Sequence, residues 1–391
     1  MTPVLHDPPD EGAAVAAEGI RSAAAEPGTT DVVVRPDALR GLVSELLTAC
    51  GVPAGDAALL ADTLVVAELW GHASHGVLRL PWYAARLASG AMATVTEVET
   101  VTDTGGVVVL DGHDGIGQVV TRRAVDLGVE RARRHGIAGV AVRNSGHFGT
   151  AAYFTRLAAE EGCVAILVTN ASPAMAPWGG RRKSIGTNPW SIAAPAGRHG
   201  VVVMDLANTA VARGKVYLAA ERGTDIPEGW AADADGNETT DPTAALAGLI
   251  LPMAGPKGYV ISFMMDVLAG VLTGSAFGAQ VAGPYDPDRR SGAGHLLIVI
   301  DVAAMSGEAE FASRMEDLVD QTRSGELAPW ADEILVPGEL EDRSRHAKER
   351  DGIRLAATTW ASLTALAAES GTPLPPALPT PPHDPSQEVH P

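Results

Sequence analysis

Apolar residues recur along this chain with two different periods, and the change of period divides it. Between Pro36 and Gly51, the residues Leu39, Leu42, Val43, Leu46 and Leu47 fall three and four apart. That spacing puts them on one face of a helix, opened by Pro36-Asp37 and stopped by Gly51. A second stripe of Leu59, Leu60, Thr63, Leu64 and Val66 predicts a helix from about Asp56 to Leu69. A third helix is expected from Leu78 to about Leu87, ended by Gly90. Residues 95–111 alternate weakly around Gly105-Gly106 and read as a β-hairpin. A long helix follows from about Gln118 to His135, with Gly136 as its stop. From there the register becomes β-α-β: strand Ile137–Val142, loop Asn144–Gly149, helix Thr150–Glu161 and strand Val164–Val168. Further strands are expected at Trp190–Ala193, Val201–Asp205 and Leu296–Ile300, and helices at Gly258–Leu272 and near Leu355–Glu369.

The pattern is mixed α/β, with helix-rich N- and C-terminal parts around a central sheet-and-helix region. Residues 1–31, rich in Ala, Glu and Pro, read as a disordered leader. Residues 372–391 read as a Pro-rich disordered tail, extended and not expected to pack. Between them, 32–135 and 300–371 form the helix-rich part and 136–299 the strand-rich part.

Composition narrows the function. The 391 residues suffice for two or three domains at roughly 150 residues each. A formal net charge of −19 repels a phosphate backbone. The basic spots Arg131–Arg134 and Arg181–Lys183 are too short for a nucleic-acid footprint. The balance fits small-molecule partners. Cys50 and Cys163 lie far apart with no CxxC, which points to a reducing compartment, the cytoplasm. Residues 1–30 lack the basic-then-apolar pattern of a signal peptide, and no run of about 18 apolar residues occurs, so no membrane partner is expected.

The common cofactor motifs are missing: no GxGxxG follows a predicted strand, and GxxxxGK[ST], GxSxG and HExxH do not occur. The chemistry gathers elsewhere. In His72-Ala-Ser74-His75-Gly-Val-Leu-Arg79-Leu-Pro-Trp-Tyr83, a hydroxyl adjoins an imidazole, and Arg79 and Tyr83 follow at intervals of four. If one helix ran through them, His75, Arg79 and Tyr83 would share a face. That set suits a small 2-oxo acid, with Arg gripping the carboxylate and His moving a proton at the carbonyl oxygen. On spacing alone, a capping Ser and a solvated Arg read equally well. His72 and His75 could also ligate a metal with Asp111, His113 or Asp114, but no known ligand spacing matches.

A second cluster, Asn144–Thr150, joins a strand to a helix. Its glycines let the backbone approach a ligand, and a helix start favours a phosphate or carboxylate. His147 sits where a strand delivers a side chain to a cleft; the alternative is a helix cap. Thr187-Asn188 before Pro189, Asp205 at a strand end, Arg213 with Lys215, and Lys257 at a helix start are weaker candidates, each with an ordinary structural reading.

Six collinear segments over roughly 32–355 resemble a known family: GHASHGVLRLPWY, VRNSGHFGTAAYF, GTNPWSIAAP, VVVMDLANTAVARGK, PKGYVISFMMDVLAGVLTGSAFG and VPGE at 336–339. This is the malate/L-lactate dehydrogenase family that lacks the usual dinucleotide fold. It includes ureidoglycolate and L-sulfolactate dehydrogenases, 2,3-diketogulonate reductase and piperideine-2-carboxylate reductase. The resemblance implies a non-Rossmann α/β fold, with 136–299 as the cofactor-binding domain and the helix-rich part serving substrate and dimerisation. It implies a homodimer with NAD or NADP as cofactor. Hydride would pass between the cofactor and C2 of a small 2-hydroxy/2-oxo acid or a cyclic imino acid. Carried onto this chain, Ser74, His75 and His147 would be catalytic, either imidazole handling the proton. Arg79, Tyr83, Thr187 and Arg213 would contact substrate. His147, Phe148, Gly149, Thr150, Ala151, Asp205, Leu206, Ala207, Pro337, Gly338 and Glu339 would form the cofactor site. No metal is expected. Pro256 stands where a His often precedes the Lys-Gly pair, which weakens a role for that segment. The competing readings are a metal-dependent hydrolase or lyase using His72, His75 and His147, and a non-catalytic accessory member of the family.

Overall fold

The protein is described here by a computed structural model that covers residues 31–378. The leader, but for Asp31, and tail residues 379–391 lie outside the described residues. The N-terminal layer is strand β1 (Val32–Val34) and helices α1 (Pro36–Ala49), α2 (Ala54–Leu69) and α3 (Leu80–Ser89). Next come β2 (Glu99–Asp103), β3 (Val107–Asp111), α4 (Gly117–His135), β4 (Ile137–Ser145), α5 (Ala151–Glu160) and β5 (Cys163–Thr169). The middle of the chain continues with β6 (Trp190–Pro195), β7 (Val201–Leu206), α6 (Arg213–Arg222) and α7 (Pro256–Asp266). It closes with β8 (Ala293–Asp301), α8 (Glu308–Arg323), α9 (Glu339–Asp351), β9 (Ile353–Leu355) and α10 (Ala357–Ser370).

Seven strands form the central sheet in the order β2-β3-β4-β8-β5-β6-β7. Only β3–β4 is parallel, because α4 provides the crossover between them; the other pairs are antiparallel. The hairpin read at 95–111 therefore becomes an edge of this sheet. Helices α4 and α5, with Phe148 from the loop that precedes α5, cover the sheet through Val120, Ala124 and Phe154 against Val140, Leu167, Leu297 and Val299. Gly128 permits the close approach: a Cβ there would lie 2.8 Å from Val299 Cγ2. A second core joins α1, α2, α3 and α10 through Leu39, Leu47, Leu60, Leu64, Leu80, Tyr83 and Leu363.

Three expectations change. The third helix does not run from Leu78. Two 3₁₀ turns, Ala73–His75 and Val77–Arg79, flank an extended Gly76, and the α-helix starts only at Leu80. The helix expected over Gly258–Leu272 is α-helical to Asp266 and then widens into a π turn at Val267–Val271. The start of the Pro-rich segment packs: Leu378 N–H donates to Val33 O at 2.8 Å. Helices α8 and α9 had no apolar stripe to announce them. They are polar around most of their surface and carry i,i+4 ion pairs, Arg314–Glu310 and Arg345–Glu349.

Candidate active site

The 3₁₀ turns deliver Ser74, His75 and Arg79, and the first turn of α3 delivers Tyr83, so no single helix face carries all four. Ser74 Oγ lies 3.0 Å from His75 Nδ1. Arg79 Nε donates to Ser74 O at 2.6 Å, closing the turn on itself. The Arg79 guanidinium lies over the Trp82 ring, 4.8 Å from its centroid. Among the described residues no protein acceptor is hydrogen-bonded to its two η nitrogens, so a planar fork is open to an anion.

His147 arrives from the other side of the cleft, on the loop between β4 and α5. Gly149, at φ +86, turns the chain into α5. The same residue's N–H donates to His147 Nδ1 at 3.2 Å, and Tyr83 OH lies 2.6 Å from that nitrogen. A backbone N–H can only donate, so Nδ1 is an acceptor and the neutral ring carries its proton on Nε2. Gln118 Nε2 donates to Tyr83 OH at 3.3 Å, which leaves the phenol proton for His147. The His75 and His147 rings stack with centroids 5.8 Å apart at 21°. Burial, with Arg79 and His72 alongside, pushes His75 down to about 3. Burial and the Arg79 charge hold His147 well below the ordinary imidazole range. Burial also raises the Tyr83 phenol. Both imidazoles are therefore neutral at pH 7.

The cofactor-side candidates meet at the outer end of the sheet. Asp205 Oδ2 accepts the Ala152 N–H at 2.8 Å. The helix start that the sequence offers to an anion thus already holds a carboxylate from the protein's own strand β7. The Pro337–Glu339 turn docks on the same strand: Val203 N–H donates to Pro337 O at 3.2 Å, and Gly338 takes φ +96 against Val203. Glu339 Oε2 accepts Val336 N–H at 2.7 Å and pairs with Arg323. Leu206 ends β7, Ala207 follows it, and both are exposed. Phe148 points into the core between Phe154 and His295, so it faces a ligand only through its backbone. Thr150 is buried just before α5, and Ala151 opens that helix.

The remaining candidates are arranged differently. Arg213 lies over the Tyr217 ring, 5.7 Å from its centroid, and donates to Leu246 O at 3.4 Å. Its neighbour Gly214 abuts Ser74, a built Cβ lying 3.8 Å from Ser74 Cβ. Thr187 O accepts from the Asn208 backbone and amide, and Asn188 is fully buried, bridging Ala171 N and Ser262 O. The metal-ligand alternative finds no support in the placement of its residues. His72 pairs with Glu341 at 3.4 Å, while Asp111 accepts from Arg143, Asn144 and His113 N–H. Among the described residues no three His, Cys, Asp or Glu side chains gather to hold a metal.

Sequence reasoning missed Gln118, Trp82 and Tyr285. Tyr285 OH lies 3.0 Å from Ser172 Oγ, and its ring meets Trp82 edge-on at 6.4 Å. Buried Arg86 ties that loop to α3 through Gly283 O at 3.2 Å and Ser291 Oγ at 3.1 Å. Trp82 lay inside a quoted motif; nothing near Gln118 or Tyr285 marked them.

A family model described as malate/L-lactate dehydrogenase matches residues 34–364. L-sulfolactate dehydrogenase of Methanocaldococcus jannaschii is 37% identical over 340 residues, covering 87% of this chain and 98% of that one. The solved sulfolactate dehydrogenase structure from that organism superposes with a TM-score of 0.82, covering 88% of this chain and 98% of that chain at 37% identity. A (2R)-3-sulfolactate dehydrogenase (NADP(+)) of Chromohalobacter salexigens is 41% identical over 66% of this chain and 78% of its own length. The ureidoglycolate dehydrogenase (NAD(+)) of Escherichia coli is 34% identical over 82% of this chain and 91% of its own length.

Proposed function

The chain belongs to the malate/L-lactate dehydrogenase family, and from that premise and the geometry of its cleft we propose how it works. It is a dehydrogenase or reductase of small hydroxy or imino acids. Our reading is an NAD(P)-dependent reduction of a 2-oxo acid, or the reverse oxidation. The observation that carries it is the open η fork of Arg79 beside the stacked, neutral His75–His147 pair.

Arg79 holds the substrate carboxylate by two parallel hydrogen bonds, which fixes the neighbouring carbonyl against the imidazoles. His147 gives its Nε2 proton to the carbonyl oxygen as that oxygen gains alkoxide charge, while the Tyr83 phenol 2.6 Å away passes its proton to Nδ1. The ring stays neutral, and solvent later restores the phenol proton. Tyr83, held by Gln118, faces Nδ1 and steadies the ring in the required tautomer. His75, oriented by Ser74, stacks on His147. In the oxidation direction the relay runs in reverse: with the proton on Nδ1, Nε2 takes the hydroxyl proton as Nδ1 returns its own to the Tyr83 phenolate. When bound, a nicotinamide cofactor would supply the hydride chemistry at C2, and the protein's own groups handle the proton and the carboxylate. The residues offered to that cofactor are exposed Leu206 and Ala207, next to Asp205 where it holds the start of α5 and on the strand whose Val203 seats the Pro337–Glu339 turn. Thr187 and Arg213 remain candidates for the substrate's far end.

A homodimer is supported by exposed Val260, Phe263 and Met264 on α7 with Val271 and Leu272 beyond it, an apolar stripe left uncovered in one copy. Free Cys50 and Cys163 support a reducing, cytoplasmic setting. Among the described residues no helix is long and apolar enough to cross a membrane.

The test follows absorbance as the purified protein oxidises NADH or NADPH with a panel of 2-oxo acids and cyclic imino acids. Turnover with a 2-oxo acid, lost in the His75→Ala/His147→Ala double variant while cofactor still binds, is the expected result. Full activity in that variant would sink the acid–base assignment. Turnover of imino acids alone would move the substrate class.

A further inference from the structure

We infer that Glu68 is a positioning residue for this reaction: its buried carboxylate, through the Val77 N–H, sets the place of the turn that carries Ser74, His75 and Arg79. The inference rests on reading that turn as the substrate side of the active site.

Glu68 lies in the last turn of α2 and is 4% exposed. Its Oε1 accepts the Val77 N–H at 2.9 Å, bridging nine residues of chain. The carboxylate lies flush on the backbone of Gly76, where any Cβ would stand 2.1 Å from Oε1. Gly76 is the extended residue that separates the two 3₁₀ turns, so the carboxylate seats the break between them. From inside, the turn is closed by Arg79 Nε on Ser74 O. Ser74, His75 and Arg79 are thus tied to one another and, through Val77, to Glu68.

The anchor itself is gripped from outside by α9. Lys348 Nζ donates to Glu68 O at 2.8 Å, and Ser344 Oγ donates to Leu69 O at 2.8 Å. His72 meets Glu341 at 3.4 Å. Glu341, Ser344 and Lys348 fall three and four apart, so one face of α9 satisfies the final carbonyls of α2 and steadies the exit into the catalytic turn. Burying a carboxylate is costly. Burial lifts the Glu68 carboxyl to about 7, opposed by the Val77 N–H and by Lys348. An apolar side chain would fill this place at lower cost if packing were its only task. What it could not do is accept the Val77 N–H.

The experiment compares wild type, Glu68→Ala and Glu68→Gln as full chains, with the best 2-oxo acid from the panel. Gln keeps an oxygen for Val77 N–H and loses the charge; Ala loses both. For Glu68→Ala we expect kcat/KM for the 2-oxo acid to fall about 100-fold, with KM for the nicotinamide cofactor within about 3-fold. Glu68→Gln should recover most of that loss, to within about 5-fold of wild type. Should Glu68→Ala fail to fold, Gly76→Ala serves instead: it displaces the carboxylate from the turn while keeping its charge, and should show the same split between substrate and cofactor. Equal losses in Ala and Gln, a cofactor KM that rises in step with the substrate defect, or wild-type kinetics throughout would each overturn the inference. A wild-type protein that turns over no 2-oxo or imino acid would overturn the parent reading and this inference with it.

Discussion

The two walls of the cleft are built on opposite plans. On the substrate side, Arg79, His75 and His147 are side chains held by neighbours yet, among the described residues, left with open polar atoms: two η nitrogens on Arg79 and Nε2 on His147. On the cofactor side, Asp205 and Glu339 are already engaged, by Ala152 N–H and by Val336 N–H with Arg323. There the protein uses charged side chains to shape backbone. The difference teaches that candidate residues of one motif set need not share one kind of role. A change on the first wall should strike chemistry; a change on the second should strike shape.

The sharpest break of that contrast is His147→Ala. It removes the Nε2 proton donor and should lower kcat by about 10²–10⁴-fold while cofactor affinity, read by fluorescence titration, stays within about 3-fold. An unchanged kcat would place the proton step on His75. Arg79→Lys comes next. A point charge cannot reproduce the planar fork, so KM for the 2-oxo acid should rise by about 100-fold with cofactor KM unmoved. Tyr83→Phe leaves His147 Nδ1 with only the Gly149 N–H, and a drop in kcat of about 10-fold is expected, visible also as a displaced limb of the pH–rate profile.

On the other wall, Asp205→Ala frees the start of α5. A loss of about 1–2 kcal/mol in denaturant unfolding is expected, together with a raised cofactor KM and little change in substrate KM. A purely catalytic defect there would erase the contrast between the walls. The smallest effect is in pH-dependent stability. Glu68 ionises at about 7 in the fold, against 4.5 as its ordinary value. The folded state therefore holds a proton that the unfolded chain releases earlier. Stability relative to Glu68→Gln should be highest below about pH 4.5 and decline as pH rises through about 7. Urea midpoints at pH 5 and pH 7.5 for both proteins check the sign.

Much of this was legible from residue order because helix and strand periods are local. The stripe Leu39–Leu47 is buried against α2 and α10, and the β-α-β register after Gly136 places His147 on the loop between β4 and α5. The motifs also carried family membership, since short segments with shape-critical glycines sit in fixed order. The one-face argument for His75, Arg79 and Tyr83 failed because Gly76 interrupts the helix, and what lets it do so is Glu68 in another element. No period predicts α9, because its helix rests on ion pairs and on capping α2 instead of an apolar face.

By itself, then, the order of residues determined most of the local elements, the apolar face of each and the set of chemical groups available. Tertiary structure alone decided how those groups are used. Tyr83 meets His147 across 64 positions, which brings a phenol proton to the nitrogen that the Gly149 N–H fixes as an acceptor. Asp205 meets Ala152 across 53, which turns an anion site into a helix cap. Periodicity reports which face of an element is buried. Proton placement and the saturation of a carboxylate depend on atoms within about 3 Å, brought together only when the layers pack.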